Sequence, residues 1–501
     1  MADVLIVTPP FAPFDASPPA GPAVLKGHVQ AAGQACRTVD LNIRYIRRFQ
    51  ENARAVSSVI GDHAKNRKLI SAARRHFRTV VPLDAVPQER VPCCLDPIFA
   101  LPHSFEEIDV GIANAEEDGY WEQFLSEELA RSVDSAPTIV GISVMGPAQL
   151  FVARLIARWV GRHWPATGIV MGGSHVTLKA SAIAHDARYG ADVDAFLPGH
   201  CEGLFAALAV ERTPPKAWSR EGVLHAGRPF TKGEPLHPNA WLVPVFEEDE
   251  LLLYPEDRIA LPIQFTRGCT YGRCTFCTYP AVEGIQVDHL DRTARRFLEG
   301  VSSLPIDRIS AKDSLLTITQ LETIGRAMRD VLPRCRWSAT TKISNQMTRK
   351  RLADVCSFGC RTLELGVETI HERLQPIIDK DQPLALVERV IRDALDVGIS
   401  VVINLIYGLP GEQEDEAIGQ LRWFEGWKNQ YGDRVVGSHN MLEVNEGAPL
   451  AREPWRYGII RGQCGPWAFS YPWNAPQWRP RFRDELMDAV AWSPEGLKSV
   501  S

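Results

Sequence analysis

Residues 266–277 read Thr266-Arg267-Gly268-Cys269-Thr270-Tyr271-Gly272-Arg273-Cys274-Thr275-Phe276-Cys277, with three cysteines spaced Cys-x4-Cys-x2-Cys. The stretch directly follows an apolar run, Leu261–Thr266, that reads as a strand. In parallel β/α folds the loops after the C-terminal strand ends form the working face. Three thiolates on one such loop can hold three irons of a four-iron cluster and leave the fourth iron open to chelate a small molecule. Zinc is the competing occupant. A structural zinc site closes with four ligands, and the nearest candidate for the fourth, His289, lies twelve residues past Cys277.

Downstream of this loop, apolar runs and helical stretches alternate. Leu261–Thr266, Arg308–Lys312, Cys335–Thr340, Arg361–Leu365, Ser400–Ile406 and Val435–Leu442 read as strands, about six β/α units in all. So many units in so short a stretch suit a curved sheet, and the spacing predicts a partial (β/α)6 barrel over residues 259–450. Upstream, residues 211–258 are rich in proline and charge without a period and read as a linker. Before them a second α/β series appears. Its strands are Val4–Val7, Cys36–Val39, Ile139–Val144, Gly168–Met171 and Ala195–Leu197. This predicts a doubly wound, Rossmann-like parallel sheet over residues 1–210. A helical insertion, about 43–135, interrupts it with charged stretches at Ile43–Arg54, Lys65–Arg78 and Ser104–Arg131 around a proline-rich segment, Val81–Pro97. The tail, 451–501, carries Trp455, Trp467, Trp473, Trp478 and Trp492. It reads either as a small cap held by aromatic packing or as a wall over a substrate pocket.

The 501 residues call for two or three domains. A formal charge of −6 disfavours a polynucleotide partner, although Arg44, Arg47 and Arg48 form a local basic group. No apolar run is long enough to cross a bilayer, and Met1–Pro10 reads as a strand rather than a signal peptide. A cytoplasmic protein without nucleic-acid or membrane partners is expected. Eleven cysteines, an odd number, fit a reducing compartment. In the first series Ser143, Gly172-Gly173 and Gly199-His200-Cys201-Glu202-Gly203 fall at or just after strand ends, where glycines either admit a cofactor to the backbone or simply make turns.

The three-cysteine loop, taken with the segments that follow it in order, resembles the radical S-adenosylmethionine (SAM) superfamily. The usual spacing there is Cys-x3-Cys-x2-Cys, so the first gap is one residue longer here. The resemblance implies that Cys269, Cys274 and Cys277 ligate a [4Fe-4S] cluster and that Phe276 meets the SAM adenine. Ile309–Ser314 looks like the segment that presents polar groups to SAM, which implicates Asp313 and Ser314. Gly359–Thr369 looks like the fourth-strand segment whose acid, Glu368, binds the ribose or amine. Ile403–Glu412 looks like the fifth-strand segment ending Gly-x-Pro-Gly-Glu, and within it Asn404 is the SAM-contacting candidate.

Residues 1–210 are similar to the cobalamin-binding domain that precedes the barrel in one radical SAM subclass. The likeness rests on Thr8-Pro9-Pro10, Asp40-Leu41-Asn42, Gly141-Ile142-Ser143, Gly172–Thr177 and Gly199–Gly203. It implies cobalamin contacts from Ser143, Gly172, Gly173, His175, Gly199 and Glu202. The Asp-x-His-x-x-Gly motif is absent, so no cobalt ligand is named, and Gly199-His200-Cys201-Glu202 departs from the Gly-Glu-x-Glu of relatives. By this resemblance SAM is cleaved reductively to a 5′-deoxyadenosyl radical, and methylcobalamin methylates an unactivated carbon. The substrate would be a natural product or peptide, and the electron donor a flavodoxin or ferredoxin. A non-methylating radical cyclase or rearrangement enzyme is the alternative; a degenerate SAM- or cobalamin-binding regulator is the alternative of another class.

Overall fold

The computed structural model describes residues 3–11, 17–56, 104–254, 259–287, 289–468 and 470–478. The expected helix at Lys65–Arg78, the proline-rich stretch and Trp492 lie outside these. The chain forms two compact units, one of residues 1–255 with 464–469, the other of 256–463 with 470–501.

In the first unit the elements run β1 (Val4–Thr8), α1 (Ala20–Ala31), β2 (Cys36–Asp40), α2 (Leu41–Val56), α3 (Phe105–Asp118), α4 (Tyr120–Ala130), β3 (Ile139–Ser143), α5 (Leu150–His163), β4 (Gly168–Gly172), α6 (Ser174–His185), β5 (Ala195–Leu197) and α7 (Glu202–Glu211). The five strands are parallel in the order β2-β1-β3-β4-β5. That is the flavodoxin-like order, in which ligands bind beyond the C-terminal strand ends where the winding reverses. Strands buried on both faces must be apolar throughout, and these are. Leu5, Val7, Val140 and Ile142 pack with α3 to α6; Val4, Ile6, Ile139 and Val170 pack with α1 and α7 on the other face.

Two departures from expectation have physical causes. The stretch Ser104–Arg131 is two helices, not one. Ser104 caps the first by accepting from the Glu107 N–H at 3.1 Å, and Gly119 at φ +75° breaks the run. Residues 215–254, expected as a linker, instead pack onto the first unit. Leu224 bridges Phe196, Trp218, Trp241 and Tyr254 are buried, and Lys26 pairs with Glu247 at 2.7 Å. Single large anchors hold this segment, and isolated anchors leave no period to read.

The second unit contains β6 (Leu261–Ile263), α8 (Leu290–Val301), β7 (Arg308–Ala311), α9 (Ile318–Val331), β8 (Arg336–Thr341), α10 (Arg349–Ser357), β9 (Cys360–Glu368), α11 (Leu384–Asp396), β10 (Ser400–Tyr407), α12 (Glu414–Tyr431) and β11 (Val435–Met441). The six strands β6 to β11 form one parallel sheet in sequence order. This is the expected partial barrel: each strand–helix unit adds beside the last, and β6 and β11 remain edges. Along β9 and β10 the fully buried residues, such as Leu363, Leu365, Val401, Ile403 and Leu405, alternate with the half-buried Glu364, Val402 and Asn404. The period of two separates an apolar face from a polar one. The tail is divided between the units. Ser470–Tyr471 pairs antiparallel with Val444–Asn445 in the second unit, whereas residues 464–469, with the buried Trp467, belong to the first.

Candidate active site

The cysteine loop leaves β6 at its C-terminal end. Gly268 sits at φ +74°, and a Cβ there would lie 2.6 Å from the Gly284 carbonyl oxygen, so the turn requires glycine. Arg267 and Gln286 exchange backbone hydrogen bonds of 3.0 and 2.9 Å. Asp313 Oδ1 accepts from the Phe265 N–H at 3.1 Å, the Thr266 N–H at 2.5 Å and Thr266 Oγ1 at 2.7 Å. Glu283 accepts from the Gly268 N–H at 2.9 Å and from Ser314 Oγ. Asp313 and Ser314, expected to face SAM, are therefore engaged in holding the root of the cysteine loop. Asp313 Oδ2 is buried with no hydrogen-bond partner among the described residues. Burial, opposed by the Thr266 and Phe265 hydrogen bonds, pushes its pKa up to about 7.

Cys269, Cys274 and Cys277 are free and half-buried. Burial pushes the Cys277 thiol up to about 12, and the charges of Cys274 and Cys269 push the same way. Burial likewise raises Cys274, against the charge of Lys380. Buried thiols such as Cys274 and Cys277, which resist ionising alone, are suited to a cationic metal centre, whose charge reverses that balance. Among the described residues no group of three or more His, Cys, Asp and Glu side chains forms a compact metal-ion site. The donor set is thiol alone, supplied by one loop, which fits an iron–sulfur cluster with an open iron.

The far side of the loop is tied to residues 375–382. The Thr275 N–H donates to Ile378 O at 3.1 Å and Thr275 Oγ1 to Ile377 O at 2.7 Å. The Tyr271 hydroxyl, in the longer first gap, donates to Asp379 O at 2.7 Å. Two cations approach its ring, Lys342 Nζ at 4.4 Å and the Arg273 guanidinium at 4.7 Å. Phe276 packs against a buried cluster that includes Leu374, Ile378 and Leu409, with Lys380 Nζ 5.9 Å from its ring centroid.

Glu368 ends β9 at φ +67° and receives Lys380 Nζ at 2.5 Å in a buried pair. Burial works against the Lys380 charge, but Glu368 and the neighbouring thiols outweigh it and hold the pKa above the usual lysine value. On the polar face Asn404 Nδ2 donates to Glu364 Oε1 at 2.8 Å and Thr340 Oγ1 to Glu364 Oε2 at 3.3 Å. Asn404 Oδ1 is buried without a partner among the described residues. Sequence reading missed Lys380, Glu283 and Glu364. Lys380 lies in Asp379-Lys380-Asp381-Gln382, which reads as a solvated charge run; only the fold buries it.

In the first unit a cavity at the strand ends is lined by Ile6, Leu25, Ser143, Gly172, Gly173 and Phe205. Glycines in the wall leave the backbone open to an apolar or flat group. The structure brings Ser143, Gly172 and Gly173 together there; Gly199, Glu202 and His175 do not line it. The Gly199 N–H donates to Thr177 Oγ1 at 2.8 Å, and Glu202 is buried at the start of α7. His175 is wholly buried, with its ring 6.3 Å from that of Trp467. Burial first, then the charge of Lys179, presses its pKa down to about 3.

Residues 263–423 match the family model of the radical SAM superfamily. A stretch of 110 residues is 27% identical to the oxygen-independent coproporphyrinogen III oxidase of Helicobacter pylori, covering 21% of this chain and 24% of that enzyme. The match thus spans about a quarter of the curated relative. Two solved structures align over nearly the whole chain. The radical SAM methyltransferase TsrM from Kitasatospora setae, solved with cobalamin and a [4Fe-4S] cluster, aligns with a TM-score of 0.61 at 16% identity, over 93% of this chain and 81% of TsrM. The cobalamin-dependent radical SAM enzyme OxsB, solved with aqua-cobalamin and SAM, aligns with a TM-score of 0.62 at 12% identity, over 99% of this chain and 71% of OxsB. The likeness to the radical SAM superfamily in sequence is thus carried by residues 263–423. In fold, the chain is similar to TsrM and OxsB.

Proposed function

We propose that this protein is a cobalamin-dependent radical SAM enzyme that methylates an unactivated carbon of a small-molecule or peptide substrate. The observation that carries the reading is one chain holding both parts: a three-thiol loop at a barrel strand end, and a flavodoxin-like unit with a glycine-lined cavity at its own strand ends. Cys269, Cys274 and Cys277 would hold the cluster, with Phe276, Glu368 and Asn404 offered to SAM. Ser143, Gly172 and Gly173 would cradle the cobalamin. Bound together, these cofactors supply the electron, the radical and the methyl group. The protein's own part is to fix the cysteine loop through Asp313, Glu283 and Thr275, and to keep the carboxylate and ammonium of Glu368 and Lys380 away from water.

A flavodoxin or ferredoxin is the proposed electron donor. A reducing, cytoplasmic setting suits the nine described cysteines, all of them free. No described helix is long and apolar enough to cross a membrane.

Protein purified anaerobically from cobalamin-fed cells should contain about four irons and one cobalamin per chain. With SAM and dithionite it should release 5′-deoxyadenosine. The Cys269→Ala variant should lose iron and SAM cleavage while keeping its circular dichroism spectrum; SAM cleavage retained in that variant would refute the cluster assignment. Iron without cobalamin would shift the reading to a non-methylating radical reaction.

A further inference from the structure

We propose that the buried Lys380–Glu368 pair is an electrostatic device that sets how readily the centre held by Cys269, Cys274 and Cys277 accepts an electron, with Lys380 as the positive end facing the thiolates. The inference rests on the reading of that loop as an iron–sulfur site.

The geometry is built rather than incidental. Lys380 Nζ stands 2.5 Å from Glu368 Oε1, with side-chain exposures of 8% and 10%. Gly366 leaves the space the pair occupies: a Cβ there would meet Lys380 Nζ at 2.4 Å and Glu368 Oε1 at 2.8 Å. Gln382 Nε2 donates to Gly366 O at 2.8 Å and anchors the loop that carries the lysine. Glu368 is held at φ +67°, a conformation that a non-glycine residue keeps only where its surroundings impose it.

The pair is neutral overall but directional. Nζ reaches to 5.9 Å from the ring centroid of Phe276, which lies between Cys274 and Cys277 in the chain. The segment that carries the lysine is tied to the cysteine loop from both sides, by the Thr275 N–H on Ile378 O at 3.1 Å and the Tyr271 hydroxyl on Asp379 O at 2.7 Å. A centre with three thiolate ligands gains one negative charge on reduction. A fixed cation in a low-dielectric surrounding therefore favours the reduced form. One electron from a low-potential donor enters; no bond forms or breaks. No proton moves, because Lys380 stays an ammonium in both states.

The test is a redox titration of the reconstituted full-length protein without SAM, following the cluster by electron paramagnetic resonance. At the wild-type midpoint, Lys380→Met should lower the reduced-to-oxidised ratio roughly tenfold. Glu368→Gln, which leaves the lysine uncompensated, should raise that ratio, and Lys380→Arg should stay near wild type. Opposite signs for the first two substitutions are expected of an oriented pair; shifts of the same sign, or none, overturn the proposal. If Lys380→Met fails to load iron, the Glu368→Gln titration decides, and a ratio at or below wild type refutes the device. A wild-type protein that takes up no iron would instead remove the cluster reading on which the inference rests.

Discussion

Glu412 shows how a single residue of the Gly-x-Pro-Gly-Glu turn serves the fold. Its Oε2 accepts from the Gly408 N–H at 2.5 Å and the Leu409 N–H at 2.9 Å, so it closes the turn after β10. Its Oε1 is buried with no partner among the described residues. Burial outweighs those two hydrogen bonds and pushes its pKa up to about 7 from an ordinary 4.5. Between these values the native form keeps a proton that the unfolded chain has released, so stability falls as pH rises through the window. The expected loss is roughly 3 kcal/mol. Glu412→Gln keeps the acceptor and removes the titration. Melting curves at pH 5 and pH 8 should therefore show a smaller drop for the variant than for wild type, and parallel drops would contradict the assignment. The Gly-x-Pro-Gly-Glu ending was legible in the sequence; that its acid closes a turn was not, because backbone partners leave no trace in side-chain spacing.

Between strand and helix, the turns after β4 and β5 look alike in sequence but differ in constraint. Gly173 adopts φ 103° and ψ 177°, a region essentially closed to other residues. A Cβ there would lie 2.2 Å from the Val144 carbonyl oxygen. Gly199 is at φ +80° with nothing within 4 Å of a built Cβ. Gly173→Ala should cost roughly 3 kcal/mol and Gly199→Ala roughly 1 kcal/mol. Calorimetry of the two variants measures the difference, and the same preparations test whether cobalamin absorbance is lost with Gly173→Ala first. Equal costs would mean that the two turns are under the same constraint. The strands flanking these turns were readable because continuous apolar runs mark strands buried on both faces. The break at Gly119 was not, because helix-forming residues continue on either side of it.

Across the whole molecule, the unexpected feature is the return of residues 464–469 to the first unit. Trp467 packs edge-on against Tyr189 at 4.6 Å, the Tyr189 hydroxyl donates to Pro466 O at 2.5 Å, and Lys179 Nζ donates to Ala468 O at 3.2 Å. Trp467→Ala should destabilise the first unit by about 3–5 kcal/mol. Limited proteolysis within residues 1–255 should rise in the variant, and an unchanged digestion pattern would show the contact to be dispensable. The tryptophans of the tail thus serve separate ends: Trp467 fills a core, whereas Trp473 and Trp478 line a cavity beside Glu412.

The sequence alone determined the two α/β series, the partial barrel and the three-cysteine loop, because each is local: alternation, apolar runs and ligand spacing are carried by neighbouring residues. Tertiary structure decided the rest. It joined residues 215–254 and 464–469 to the first unit, buried Lys380 against Glu368 beside the cysteines, gave Asp313 and Ser314 to the root of the loop, and enclosed His175 in the core. Each of these depends on contacts between distant segments or on burial, and neither leaves a period in the chain.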